Sequence, residues 1–228
     1  MSKNHDKSEK ATIKQKLTLL IQKNSLLLVA VITIITLVVI GLLIYNSIQI
    51  KNLEKYTQEI ETIQDKYTNL SSSTDETNKK ESINKIIEEL DSLIDRSPKN
   101  YAFQRALYIR GNLYYQNKEW DKAIEDFKSI FSIFPNSYLA PISLINAATA
   151  YEDSNKIDDA IETYILLISK YSNISPEIPN IYFSLGRLYE QKDDNKAALV
   201  EYNNLVDIFP DSNWTNLARS RIIYLESR

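Results

Sequence analysis

The sequence predicts an all-α protein: a stack of helix-turn-helix units behind an N-terminal membrane helix and a helical stalk. Three observations predict it. Among 228 residues there are 3 glycines and 6 prolines, too few for the tight turns of a many-stranded sheet when average usage is about 7 and 5 per cent. Residues 26–44 are apolar without a charge. One pattern of small and large apolar residues recurs three times after residue 104.

The first element, residues 1–24, is a basic tail with Lys3, Lys7, Lys10, Lys14, Lys16 and Lys23 against Asp6 and Glu9. Residues 25–45 form the transmembrane helix. Leu26 to Ile44 reads LLLVAVITIITLVVIGLLI, and a helix of that length spans about 28 Å, the depth of a hydrocarbon core. A cleaved signal peptide has a shorter apolar core, about 7 to 15 residues, ending at a small-x-small site. Here the run closes on Leu43, Ile44, Tyr45 and Asn46, and with no cysteine there is no N-terminus to lipidate. The segment therefore reads as an uncleaved anchor. Only Lys51 and Lys55 follow it closely, so the lysine bias keeps the N-terminus in the cytoplasm. The expectation is a single-pass protein of the bacterial cytoplasmic (inner) membrane with its bulk extracytoplasmic, in the periplasm.

Residues 46–70 form the stalk. Leu53, Tyr56, Ile60, Ile63, Tyr67 and Leu70 recur at alternating spacings of 3 and 4, the seam of a heptad repeat. Two readings stay open: a parallel coiled coil that makes a homo-oligomer, or one amphipathic helix lying on the soluble domain. Residues 71–80, SSSTDETNKK, are polar throughout and read as a linker. The soluble domain is expected over 81–228.

Within that domain Leu107, Gly111, Tyr114, Ala123, Phe127 and Ile130 stand at relative positions 4, 8, 11, 20, 24 and 27, with Pro135 at 32. Leu144, Ala148, Tyr151, Ala160, Tyr164 and Leu167 hold the same places in a second copy, as do Tyr182, Gly186, Tyr189, Ala198, Tyr202 and Leu205, with Pro210, in a third. Two helices of a hairpin approach closely only where small residues face each other, so Gly111, Ala148 and Gly186 are expected to meet Ala123, Ala160 and Ala198. Proline then stops the second helix. The three tyrosines at position 11 are assigned to the core.

These residues resemble the tetratricopeptide repeat (TPR), a helix-turn-helix unit of about 34 residues. The resemblance implies a TPR-type right-handed helical solenoid of about three repeats, at about 104–137, 141–174 and 179–212. Departures are Arg110 in a usually apolar place, Ser172 for the terminal proline of the second copy, and alanines 37 and 38 residues apart. The longer spacing is similar to bacterial envelope TPR proteins such as the Tol-Pal accessory protein and the outer-membrane-assembly lipoprotein. The single span with repeats outside is similar to the ancillary subunit of the Sec translocon. Ile83, Ile86, Leu90 and Leu93 give an apolar face ending at Pro98, read as an unpaired second helix ahead of the first repeat. Residues 213–228 read as a capping helix, with Trp214, Leu217, Ala218 and Ile222 inward and Arg219, Arg221 and Arg228 outward.

In such a solenoid the first helices line the concave face, where relative positions 2, 5, 9 and 12 are exposed. These are Arg105, Tyr108, Asn112 and Tyr115, then Ile142, Ile145, Thr149 and Glu152, then Asn180, Phe183, Arg187 and Glu190. Aromatic, isoleucine and arginine side chains suit a peptide groove. The family's carboxylate clamp is improbable: Asn112 and Asn146 match two of its places, but Tyr108, Asn180 and Ser184 replace its basic residues.

Other functions lose their residues. The only histidine is His5 and there is no cysteine, which removes the commonest general base and metal ligands. No cofactor, catalytic residue or metal site is implied, since no phosphate-binding glycine loop or nucleophile elbow is present. Asp158–Asp159 and Asp193–Asp194 fall in turns before second helices and read as caps. Beyond residue 45 the chain carries 21 basic against 28 acidic residues, net −7, so nucleic acid is no expected partner. Triplets at Asn69, Asn173 and Asn213 fit a glycosylation acceptor, as chance allows in an asparagine-rich chain. Two roles remain: a membrane-anchored adaptor for a protein or peptide partner, assisting translocation, chaperoning or envelope assembly, or a structural spacer oligomerised by its stalk.

Overall fold

The computed structural model describes residue 18 and residues 25–71, 76–173 and 175–227. The rest of the basic tail 1–24, residues 72–75 of the polar stretch, Ile174 and Arg228 lie outside the described residues. Among the described residues there are nine helices: α1 (Ser25–Ser71), α2 (Glu76–Arg96), α3 (Tyr101–Gln116), α4 (Trp120–Ile133), α5 (Leu139–Asp153), α6 (Ile157–Tyr171), α7 (Ile178–Gln191), α8 (Asn195–Ile208) and α9 (Asn213–Glu226). The chain divides between Lys55 and Tyr56 into two units.

In the first unit α1 exposes every side chain over residues 25–55, and it is the one helix among the described residues long and apolar enough to cross a membrane. Thr33 and Thr36 return their hydroxyls to the carbonyls of Val29 and Ile32, 2.8 Å each. Both hydroxyls of this apolar run thus find acceptors within the helix itself.

The second unit is a stack of helical hairpins, and it begins with the stalk. Ile60, Ile63 and Leu70 of α1 are buried in one cluster with Ile86, Leu90 and Leu93 of α2 and the small face of α3. Antiparallel pairing is set by Arg96 to Glu59 and Lys66 to Glu89, 2.6 Å each, and by the Tyr56 hydroxyl on the Arg96 carbonyl at 2.9 Å. α2 was expected to be unpaired and is not: the end of α1 is its first-helix partner. α2 also starts at Glu76, inside the segment read as a linker. From Tyr56 to Leu70 the heptad seam is spent on this hairpin, in line with the amphipathic-helix reading, while Leu53 is exposed.

The three repeats follow as α3–α4, α5–α6 and α7–α8. A Cβ placed on Gly111 would lie 2.8 Å from the Phe127 ring, and one on Gly186 would collide with the Tyr202 ring. The atoms nearest each glycine are therefore those of the ring at position 24, where the alanine at position 20 was expected. Both rings are fully buried. In the second copy Ala148 keeps its methyl and is equally buried.

Each hairpin turn ends its first helix in the same way. Lys118, Asn155 and Asp193 take φ of 60°, 58° and 58°. The amide after each reaches back to the carbonyl of Tyr114, Tyr151 or Tyr189, at 2.8, 2.8 and 2.9 Å. This is the Schellman arrangement, which ordinarily recruits glycine at the left-handed residue; here none of the three is glycine. Asp194 caps α8 by accepting from the Ala197 amide at 3.1 Å, as read from the sequence, whereas Asp158 pairs with Lys192 of the next turn.

Arg110, the polar residue in an apolar place, is clamped. Its guanidinium donates twice to Asp126, at 2.9 and 2.6 Å, and once to Asp91 at 2.6 Å. One side chain thus ties α2, α3 and α4 together. Burial raises the Asp126 carboxyl above its usual range although Arg110 pulls the other way. Such a pair resists loss of either partner.

α9 packs on α8 and α7 as the first helix of a further repeat would, with Trp214 against Phe183 at 5.3 Å. Its arginines differ from expectation. Arg221 turns inward to Glu190, while Leu217, Ile223 and Tyr224 are exposed together with Arg219.

Candidate functional site

The first helices present one continuous face, stitched by pairs that run from hairpin to hairpin. The Tyr115 hydroxyl donates to Asp153, Arg187 pairs with Glu152, and Arg221 pairs with Glu190. Each pair joins the last turn of one first helix to the next first helix in the stack. Glu152 to Arg187 brings position 12 of one repeat beside position 9 of the next, while Tyr115, at position 12, meets Asp153 one place further along.

Two of the carboxylates in this seam, Glu152 and Glu190, are also held from behind. Tyr164 of α6 donates to Glu152 at 2.8 Å and Tyr202 of α8 donates to Glu190 at 2.6 Å. Burial would raise the Glu190 carboxyl, but hydrogen bonds from Arg221 and Tyr202 and the guanidinium charge together hold it below its usual value. The tyrosines respond in the opposite sense. Burial, joined by the neighbouring carboxylate, raises Tyr164 and Tyr202, and Tyr115 beside Asp153 is pushed up to about 12. These hydroxyls stay protonated donors at any ordinary pH.

Of the residues expected to bind, several are already engaged. Asn112 donates its amide to the Tyr108 carbonyl at 2.7 Å, and the Thr149 hydroxyl turns to the Ile145 carbonyl at 3.0 Å. Tyr108 and Phe183 are half-buried: Tyr108 lies 6.3 Å from Phe127, and Phe183 lies 5.6 Å from Tyr202. Tyr115 is edge-on to Trp120 at 5.0 Å. Ile142 and Arg187 are exposed, while Ile145, Asn180 and Glu190 are half-buried. Tyr114, Tyr151 and Tyr189, assigned to the core, are half-buried as well, so burial does not separate them from the groove set. Position 11 sits in the last turn, where the edge of the ring reaches solvent; Lys122 covers Tyr114 at 5.0 Å and Lys128 lies 5.9 Å from Tyr151.

Residues outside the repeats join this face. Gln64 of α1 accepts from the Arg105 guanidinium at 3.1 Å, and Gln116 donates to the Tyr67 hydroxyl at 3.2 Å. Arg105 in turn lies 5.7 Å from the Tyr108 ring centre. The stalk is thus a fourth first helix. Its 3-and-4 spacing gave the signal, but nothing in it named the surface it covers. Among the described residues no group of histidine, cysteine, aspartate and glutamate is placed to hold a metal ion.

A family model described as an outer membrane lipoprotein, YfiO, matches residues 100–228. Comparison with curated protein sequences gives no match. Similar solved structures include a tetratricopeptide repeat protein from Parabacteroides merdae ATCC 43184, at 18% identity and a TM-score of 0.56, covering 75% of this chain and 61% of that one. Another is a Podosopora anserina putative kinesin light chain with nearly identical TPR-like repeats, at 11% identity and a TM-score of 0.54, covering 76% of this chain and 86% of that one. At such identities the likeness shows the fold alone, a TPR solenoid.

Proposed function

We propose a role that proceeds from family: this chain belongs to the outer membrane lipoprotein (YfiO) family, and within it acts as a membrane-anchored adaptor that holds a protein partner on its first-helix face. One observation carries the proposal. Inter-repeat pairs align Tyr115, Glu152, Arg187 and Glu190 along a single face, so a peptide laid across it meets aromatic rings and isoleucines between fixed charges. That combination favours anchoring by a few side chains. The Tyr56 to Leu70 seam supports the adaptor over the spacer, because those side chains are turned onto α2 and α3 and are withdrawn from a second copy.

The anchor departs from the family description. There is no cysteine to carry lipid, and the family match begins at residue 100, after α1. The apolar part of α1 takes over the anchoring, with lysines holding the N-terminus inside the cytoplasmic membrane. Because the chain has no native thiol, single cysteines at position 7 and at exposed position 136 give a direct test with a membrane-impermeant maleimide on intact cells. Labelling at 136 alone is expected; labelling at 7 alone would reverse the orientation.

The adaptor itself is tested by a photo-crosslinking residue at Ile142, exposed on the groove face, and at Val200, exposed on a second helix. The same partner should be captured from 142 and at least ten-fold less from 200. Equal capture from both sites would place binding elsewhere.

A further inference from the structure

A second surface lies on the side of the second helices. A cleft of about 790 Å³ runs between α4 and α6 and is floored by α5, within the range of about 300–1,000 Å³ in which ligand sites fall. Ile124, Phe131, Leu144 and Leu166 supply apolar wall and floor. The residues along it differ in size between repeats: Leu144 and Thr163 stand where the third repeat has Tyr182 and Glu201. The Tyr182 ring fills its place by packing on Phe209 at 6.1 Å.

The rim is acidic. Asp121, Glu125 and Glu162 border the cleft with one cation, Lys128. Lys128 is drawn to Tyr151, its ammonium 3.4 Å from the hydroxyl and 5.9 Å from the ring centre. Lys156 meets Asp121 at 2.5 Å. Glu125 and Glu162, exposed and at the same place in successive second helices, carry no ion pair among the described residues.

We infer that this cleft docks an amphipathic helix of a partner protein, with leucine-like residues at i, i+3, i+4 and i+7 set into it and lysine or arginine flanking them. The walls are helices whose backbone bonds are internal, so they offer no edge for strand addition. An incoming segment must satisfy its own backbone, which a helix does. The apolar stripe matches the floor, and the basic flanks match Glu125 and Glu162. The site is separate from the first-helix face, and a partner can occupy both.

The test uses the full chain in phosphatidylcholine nanodiscs, with one cysteine replacing exposed Ser132 in the cleft and carrying an environment-sensitive dye. A second preparation carries the dye at Asn180 on the opposite face. The probe is an 18-residue peptide with the stated leucine spacing and lysine flanks, and a matched peptide carries glutamate flanks. Saturable response at 132 and not at 180 is expected, at least ten-fold tighter for the lysine peptide. The double substitution Glu125→Lys, Glu162→Lys should reverse that preference, and Leu166→Gln should weaken both peptides ten-fold while leaving crosslinking from 142 intact. The inference is overturned by response at 180 alone, by no saturation at 132, or by equal affinity for the two peptides. Loss of crosslinking from 142 with normal response at 132 would instead remove the first-helix reading and leave this one standing.

Discussion

Left-handed backbone at Lys118 is the plainest strain in the domain. Lys118, Asn155 and Asp193 occupy the same turn position with φ near 60°, but only asparagine and aspartate tolerate it readily, because their short polar side chains bond locally. Lysine gains nothing there, since its side chain is exposed. Lys118→Asn, which copies the second repeat, should raise stability by about 0.5–1 kcal/mol. A urea midpoint that stays put or falls would show that the strain is relieved elsewhere. The residues that set the hairpin crossing are a contrast: Gly111 and Gly186 were legible as points of close contact, but their true neighbours, Phe127 and Tyr202, were not. Spacing reports that a small residue is needed, not whether a ring or a methyl lies over it. Arg110 is similar. It was legible as a break in the apolar pattern, and Asp91 and Asp126, on two other helices, explain it.

At the scale of elements, the three repeats were readable because each carries its own complete set of apolar positions. The stalk hairpin was not, because a 3-and-4 seam says that a helix packs and leaves its partner open, and a polar stretch separates α1 from α2. The structure makes α1 and α2 one hairpin, with Ile63 buried against it. Ile63→Ala should therefore cost about 2–5 kcal/mol, as large-to-small core changes do. In a stack where each unit touches only its neighbours, the loss stays local. Hydrogen exchange on the full chain in nanodiscs should show α2 and α3 losing protection while α7 to α9 keep theirs. A drop in oligomer mass with unchanged protection would mean that the seam serves a coiled coil instead. The groove was legible in the same partial way: its positions follow from periodicity, but partners such as Arg187 and Glu152 stand 35 residues apart, beyond the reach of any local pattern.

Across the whole domain these pairs make cohesion between hairpins depend on ionised carboxylates, and that dependence has a sign. Arg221 and Tyr202 hold the folded-state value of Glu190 below its ordinary one, against burial. A depressed carboxylate binds its proton more weakly when folded than when unfolded. Its contribution is therefore fully present above the unfolded value, near pH 4.5, and is lost as pH falls through the lower folded value. Glu190→Gln removes the charge while keeping an acceptor for Tyr202. The variant should be less stable at pH 7 by about 1 kcal/mol, discounted for the partial exposure of Arg221. Its stability should fall less steeply as pH drops below the ordinary carboxylate value, so that the two curves converge at the acid end. Since Arg221 lies on α9, the variant should also free the capping helix, and hydrogen exchange at pH 7 should rise in α9 before it rises in α3 to α6. Parallel pH curves, or faster exchange spread evenly through the stack, would show that Glu190 does not fasten the cap to the third repeat.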